Sequence, residues 1–161
     1  MHSLKRALLE GDMSKDPSSK VGAVIVGPDR NVLSTGFNGF PRGVHDDARL
    51  NDKAMKRKII VHAELNAILN AAREGVRLKG STLFWIGIKK EKVWGGCPCV
   101  PCTSAIINAG ISTIVSVSSE NMPDTWALQQ PLAHAVRQEG GVDYHQIKLK
   151  DFLDEEIITI G

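Results

Sequence analysis

Ser81-Thr82-Leu83-Phe84-Trp85-Ile86-Gly87-Ile88 reads as a buried central strand, and the elements on its C-terminal side decide the fold. Cys102 to Ala109 carries a helical pattern that stops at Gly110, and Ile111 to Val117 returns as a strand. Thr125 to Glu139 is a further predicted helix, closed by Gly140-Gly141, before a last strand over Val142 to Ile147. Strands alternating with helices imply crossover connections and parallel pairing, so the class is α/β with its last strands parallel. Upstream, Val21 to Val26 and Val32 to Phe37 flank the turn residues Gly27-Pro28-Asp29-Arg30-Asn31 and are expected to pair as a hairpin. Leu4, Ala7, Leu8 and Leu9 suggest a first amphipathic helix. Asn38 to Lys58 reads as a long polar loop, of the kind that carries function. Ile59 to Arg73 reads as the core helix, with Val61, Leu65, Ile68 and Leu69 on one side.

The length of 161 residues fits a single domain, 1–161, with a C-terminal tail from about 148 to 161. Phe152, Leu153, Ile157 and Ile158 make that tail too apolar to hang free. Hydrophobic residues at 42% and charged residues at 24% exclude a disordered or fibrous chain. A net charge of +2 is too mild to demand a polyanionic partner, so neither stable nucleic-acid binding nor membrane attachment is expected. No apolar run approaches the roughly 18 residues a membrane span needs, and the first ten residues lack a signal peptide's apolar stretch, so the expected location is cytoplasmic.

All three cysteines, Cys97, Cys99 and Cys102, fall within one short segment, which suits metal ligation better than a disulfide framework. Two helix starts carry the chemistry: His62-Ala63-Glu64 opens one and Cys99-Val100-Pro101-Cys102 the next, with Pro98 before it. One imidazole and two thiolates suit tetrahedral Zn²⁺ and leave a fourth position for water, as in a catalytic site. A helix N-terminus helps keep the thiolates ionised. Glu64 lies two positions after His62, placed to take a proton from the water that zinc acidifies toward pKa ~7 and to return it to a ring nitrogen and a leaving amine. His-x-Glu followed by Pro-Cys-x-x-Cys is the signature of zinc-dependent base deaminases. Cys97 competes as a ligand through Cys97-Pro98-Cys99, but a supporting or spectator thiol is the simpler reading. His2, His45, His134 and His145 have no partner visible in sequence, although His45, in the long loop, has a route to the pocket.

Beyond the zinc motif, five stretches resemble the deoxycytidylate (dCMP) deaminase branch of the cytidine deaminase superfamily. They are Asp16 to Val26, Gly36 to Gly43, His62-Ala63-Glu64-Leu65-Asn66-Ala67-Ile68, Pro98 to Cys102, and Ile106 to Ile111. Asn38-Gly39 followed by Pro41, then Asp46-Asp47 and a basic stretch before the histidine, favours that branch over transfer-RNA adenosine deaminases or the riboflavin-pathway deaminase. The resemblance implies a three-layer fold with a five-stranded mixed sheet flanked by helices. It implies His62, Cys99 and Cys102 as zinc ligands, Glu64 as proton shuttle, Asn38 as a partner of the sugar or ring edge, and the backbone of Ala63 as a contact to the base. It also implies a homo-oligomer, hexamer or dimer, with dCTP and dTTP as effectors to be sought around Gly36-Phe37-Asn38-Gly39. A second, structural zinc site is not expected, because every cysteine lies in one cluster.

Asn38 has a simpler role too, since Asn-Gly is a common turn pair. The substrate phosphate has two candidate places: Ser18-Ser19-Lys20, or the basic run Arg49, Lys53, Lys56, Arg57 and Lys58, which otherwise reads as a solvated face. Two departures qualify the match. Ile88 to Gly96 inserts a charged segment that could serve as a lid or an oligomer contact, and its Trp94 either stacks on the base or packs. Thr103 stands where the family usually has Ala, a change that a local hydrogen bond accommodates.

The implied reaction is hydrolysis of dCMP to dUMP and ammonia. The competing readings are a nucleotide deaminase of altered specificity (modified dCMP, dCTP or CMP), a tRNA- or RNA-binding deaminase, and a structural zinc module that leaves Glu64 without a role.

Overall fold

In the computed structural model, residues 1–159 are described, with side chains described through residue 154. The elements run α1 (His2–Gly11), β1 (Lys20–Val26), β2 (Val32–Phe37), a 3₁₀ turn (Ala48–Leu50), α2 (Lys53–Ile59), α3 (Ala63–Arg73), β3 (Thr82–Lys89) and β4 (Lys92–Trp94). They continue with α4 (Val100–Asn108), β5 (Thr113–Val117), α5 (Asp124–Ala127), α6 (Gln130–Glu139), β6 (Asp143–Ile147) and α7 (Leu149–Thr159). One mixed sheet runs in the order β2-β1-β3-β5-β6, with β4 paired to β3. The first hairpin is antiparallel as the turn chemistry dictates, β1 is antiparallel to β3, and β3, β5 and β6 are mutually parallel neighbours.

Alternation along the strands divides the core into two layers of packing. Ala23 and Ile25 of β1 and Trp85 of β3 join Ala63, Ala67 and Ile106 on one face. Val24 and Ile86 join Leu4, Ala7, Val117 and Phe152 on the other. Helices therefore cover both faces, giving three layers. From the tail, Phe152 is fully buried in α7 beside Leu4, while Leu153 is exposed. Ile157 and Ile158 lie outside the residues with described side chains, and Ile160 and Gly161 outside the described structure. Among the described residues no helix is long and apolar enough to cross a membrane.

The structure corrects four expectations. The sheet has six strands where five were expected: the 88–96 segment prolongs β3, turns at Lys90-Glu91 and returns as β4. Both turn residues have positive φ, 49° and 62°, the geometry of a two-residue turn matched to strand twist. The segment is thus an extension of the sheet, not a lid. The expected 38–58 loop contains the 3₁₀ turn and α2, because Asp47 accepts from the Arg49 N–H and Asp52 from the Ala54 and Met55 N–H groups, capping each in turn. The core helix begins at Ala63, not Ile59, because Ile60 and His62 are extended and Val61 exchanges two backbone hydrogen bonds with Gly39. Between residues 125 and 139 the helix is likewise two pieces, α5 and α6, the second opening beside Pro131.

The inward face of α3 also differs from the apolar stripe. Ala63, Glu64, Ala67 and Ala71 are buried, and Leu69 is 49% exposed. Gly36 explains this: a Cβ there would come within 2.4 Å of the Ala67 nitrogen and 2.5 Å of the Ala63 oxygen, so β2 and α3 touch backbone to backbone and small residues must line the seam. Three side chains stitch it, as Ser34 Oγ donates to the Ala67 carbonyl, Asn66 Nδ2 to that of Phe37 and Asn70 Nδ2 to that of Thr35. Gly36→Ala is expected to cost about 3 kcal/mol, the upper end for overpacking, because helix backbone and not a side chain must yield. Gly39→Ala, whose Cβ would have its nearest neighbour at 3.8 Å, is expected to cost far less. Urea denaturation of the two variants checks this.

Candidate active site

Two helix N-termini meet at one point. His62 is the N-cap of α3 and Cys99 the N-cap of α4, both with extended backbone and neither making a side-chain capping bond, so their side chains are free to turn toward one another. His62 Nδ1 lies 3.3 Å from Cys99 Sγ and 3.5 Å from Cys102 Sγ. The donor atoms of His62, Cys99 and Cys102 all lie within 4.8 Å of one another. Zn–S and Zn–N bonds of tetrahedral zinc imply an N···S edge of about 3.6 Å, so the triad fits the ion without rearrangement. Among the described residues this is the one such cluster, and Cys97 stands outside it. Burial pushes the Cys97 thiol up to about 11, which keeps it protonated and a poor ligand.

The electrostatics match the donor set. The hydrogen bond from Cys102, with a further one from His62, pulls the Cys99 thiol down to about 5, while Cys102 is pushed well up by sharing its proton with Cys99 and by burial. The hydrogen bond to Cys99 raises His62. Metal-free, the Cys99 thiolate lies beside a protonated Cys102, a pair that releases a proton when a cation binds. Glu64 is 5% exposed, and burial pushes its carboxyl up to about 7. A carboxyl so poised both accepts and donates near neutral pH.

His62, Cys99 and Glu64 line a cavity of about 440 Å³ together with Ala63, whose N–H belongs to the unpaired donors of the first turn of α3. Trp85, Trp94 and Trp126 form an aromatic wall. Trp94 is 5% exposed, packs edge-on against Trp85 at 5.2 Å and lies against Gly87, so most of its surface serves packing. Trp126, from α5, is half-buried and meets the His62 ring edge-on at 5.1 Å. Sequence reasoning does not single it out. Its only signal is an aromatic shortly after the C-terminal end of a parallel strand, where α/β sites open.

The cavity also has a polar lining. Ser18, Ser19, Lys53, Lys56, Arg57 and Lys89 all belong to it, so the two candidate phosphate places converge on one cavity. Lys20 is not brought there: its Nζ donates to the Asp12 carbonyl at the exposed surface. Arg49 is engaged with Asp47, and His45, also exposed, is not part of the lining. Asn38 lines the cavity while tying its wall, its Oδ1 accepting from the Val21 N–H and its Nδ2 donating to the Ser19 carbonyl.

The segment that delivers the cysteines is clamped from three sides. Gln130 accepts from the Cys97 N–H and donates to the Cys97 carbonyl, Trp85 Nε1 donates to the Gly96 carbonyl, and Thr103 Oγ1 donates to the Pro98 carbonyl. Gly96 sits at φ 130°, which side chains rarely adopt. A second, smaller cavity of about 210 Å³ lies beside Phe37, Gly39, Phe40 and Arg42.

The family model of the cytidine and deoxycytidylate deaminase zinc-binding region matches residues 2–118. An uncharacterized deaminase in the luxG 3' region of Aliivibrio fischeri is 36% identical over 85% of this chain and 85% of its own length. Human deoxycytidylate deaminase is 32% identical over 71% of this chain, and the match spans 61% of the human protein. The dCMP deaminase of cyanophage S-TIM5, solved in complex with dCMP and dUMP, superposes with a TM-score of 0.67 and 25% identity, covering 89% of this chain and 93% of that one.

Proposed function

This chain belongs to the cytidine and deoxycytidylate deaminase family, and from that premise we propose that it is a single-domain, zinc-dependent hydrolase converting dCMP and water to dUMP and ammonia. The observation that carries the reading is one cavity lined by His62, Cys99 and Glu64, with Cys102 completing the donor cluster, and by hydroxyl and cationic side chains as well. Bound zinc supplies a Lewis acid that makes water nucleophilic near neutral pH. The chain's own residues do the rest. Glu64 takes one proton from the attacking water and delivers it to the ring nitrogen, then takes the second from the new C4 hydroxyl and delivers it to the amine, which departs as ammonia while the C4 carbonyl forms, so that its carboxylate is restored each cycle. The Ala63 N–H holds the base, and the tryptophan wall excludes bulk water from the reacting carbon. Ser18, Ser19, Lys53 and Arg57 meet the monophosphate.

Trp126 is the aromatic face offered to the base. Base stacking is worth about 1–3 kcal/mol, so Trp126→Ala is expected to lower kcat/KM by roughly 10- to 100-fold with zinc content unchanged. Trp126→Phe is expected to recover most of the loss. Steady-state kinetics and metal analysis of both variants check this.

The deciding experiment measures ammonia release by the zinc-loaded protein from dCMP, CMP, dCTP, deoxycytidine and 5-substituted dCMP. A strong preference for dCMP supports the reading, activity on another member alone moves the substrate, and silence throughout rejects the activity. A homo-oligomer and dCTP or dTTP effectors, the latter at the smaller cavity, belong to the same reading. Native mass measurement with and without each triphosphate tests them.

A further inference from the structure

Lys56 differs from every cation around it. Its side chain is 9% exposed, and Nζ donates to Asp16 Oδ1 at 2.7 Å and to Ser18 Oγ at 3.0 Å. Asp16, 5% exposed, also accepts from the Ser18 N–H at 2.8 Å and from Asn38 Nδ2 at 3.4 Å. Asn38 in turn fixes the start of β1. One ammonium thus joins α2 to the loop that enters β1, across the cavity edge.

Helix α2 has little else to hold it. Of its seven residues Lys56 alone is fully buried, Ile59 is half-buried, Met55 is 42% exposed, and the helix packs mainly on the neighbouring 3₁₀ turn. A helix this short, without an apolar stripe, is not stable by itself. Yet it carries Lys53 and Arg57 to the cavity wall and leads through Ile60 and Val61 into His62. Because Lys56 and Asp16 neutralise one another, the net positive charge of that wall comes from Lys53, Arg57 and Lys89.

We propose that Lys56 is a positioning residue that latches α2 over the cavity through Asp16 and Ser18, and so sets the cationic wall against the anionic end of a nucleotide. The choice of ligand rests on the proposed function, whereas the latch itself is readable without activity.

The test uses the full-length, zinc-loaded protein and the variants Lys56→Met, Asp16→Asn and Lys56→Arg. Trypsin is used to probe α2 at Arg57 and Lys58, which all the variants retain. Cleavage there is expected at least tenfold faster in Lys56→Met and Asp16→Asn, with Lys56→Arg closer to the parent. In kinetics, Lys56→Met is expected to raise KM for dCMP tenfold or more with kcat within threefold, and to change KM for deoxycytidine less than threefold. Unchanged cleavage in both charge-removing variants overturns the latch, and an equal rise in KM for nucleotide and nucleoside overturns its link to the anion. If Lys56→Met does not fold, the near-isosteric Asp16→Asn carries the same measurements. If the parent does not turn over dCMP, the proteolysis still decides the latch, so the two failures are distinguishable.

Discussion

Glu64→Gln is expected to reduce turnover by about 10³- to 10⁴-fold, the full contribution of a positioned acid–base group, while zinc remains bound at one equivalent. The amide keeps the shape of the carboxyl but can neither take the water's proton nor return it to the ring. Activity and metal content measured on the same sample separate this from simple misfolding. A turnover loss under tenfold would remove Glu64 from the chemistry. The same variant has a second, independent signature in the metal-free protein. The folded state holds the Glu64 proton up to about pH 7, against a reference of 4.5, so between those values it binds more protons than the unfolded chain. Stability therefore falls as pH rises through that window, by as much as about 3 kcal/mol, and the loss is complete above it. Metal-free Glu64→Gln lacks this slope, and at pH 8 it is expected to be the more stable protein.

The other large effect concerns the donors. Removing zinc with a chelator, or making His62→Ala or Cys102→Ala, is expected to abolish activity and to bring metal content from one equivalent toward zero. Two remaining ligands of three cannot hold the ion in competition with solvent or buffer. Re-addition of zinc is expected to restore the chelated parent but not the variants. Atomic absorption alongside ammonia release checks it, and a variant that loses activity with a full equivalent of zinc would contradict the assignment. Cys97→Ala, by contrast, is expected to retain its metal, since that thiol lies outside the donor cluster.

Much of this fold is legible in the sequence. The β1–β2 hairpin is dictated by its turn residues, and the parallel half of the sheet by alternating elements closed by Gly110 and Gly141, both at positive φ. His62, Glu64, Cys99 and Cys102 are legible because their chemistry demands rare residue types at fixed spacing, each pair opening a helix. The illegible parts have physical causes. Helix α2 has no apolar stripe, since its buried residue is a lysine held by a partner 40 positions away. The inward face of α3 is misread because close approach at Gly36 selects alanine over leucine, reversing the usual rule that the larger apolar side faces in. The turn at Lys90-Glu91 carries neither Gly nor Asn to announce its positive φ. Lys20 and Lys56 look alike in sequence, and only the third dimension sends one outward and the other to Asp16.

Both helices that meet at the cavity begin with residues that do not cap them. Ser, Thr, Asp or Asn at such a position is worth roughly 0.5–2 kcal/mol to a helix. The family's chemistry thus occupies two sites where an ordinary sequence would install local stability, and the molecule is most improvable, as a folded object, where it can least be changed as an enzyme. Selected for heat resistance in its metal-free form, the chain would drift toward Cys99→Ser and His62→Asp, and the winners would be sturdier and inert, whereas with zinc bound the lost ligand forfeits the ion's own contribution to stability. A screen for durable variants of this protein must therefore score turnover in the same round.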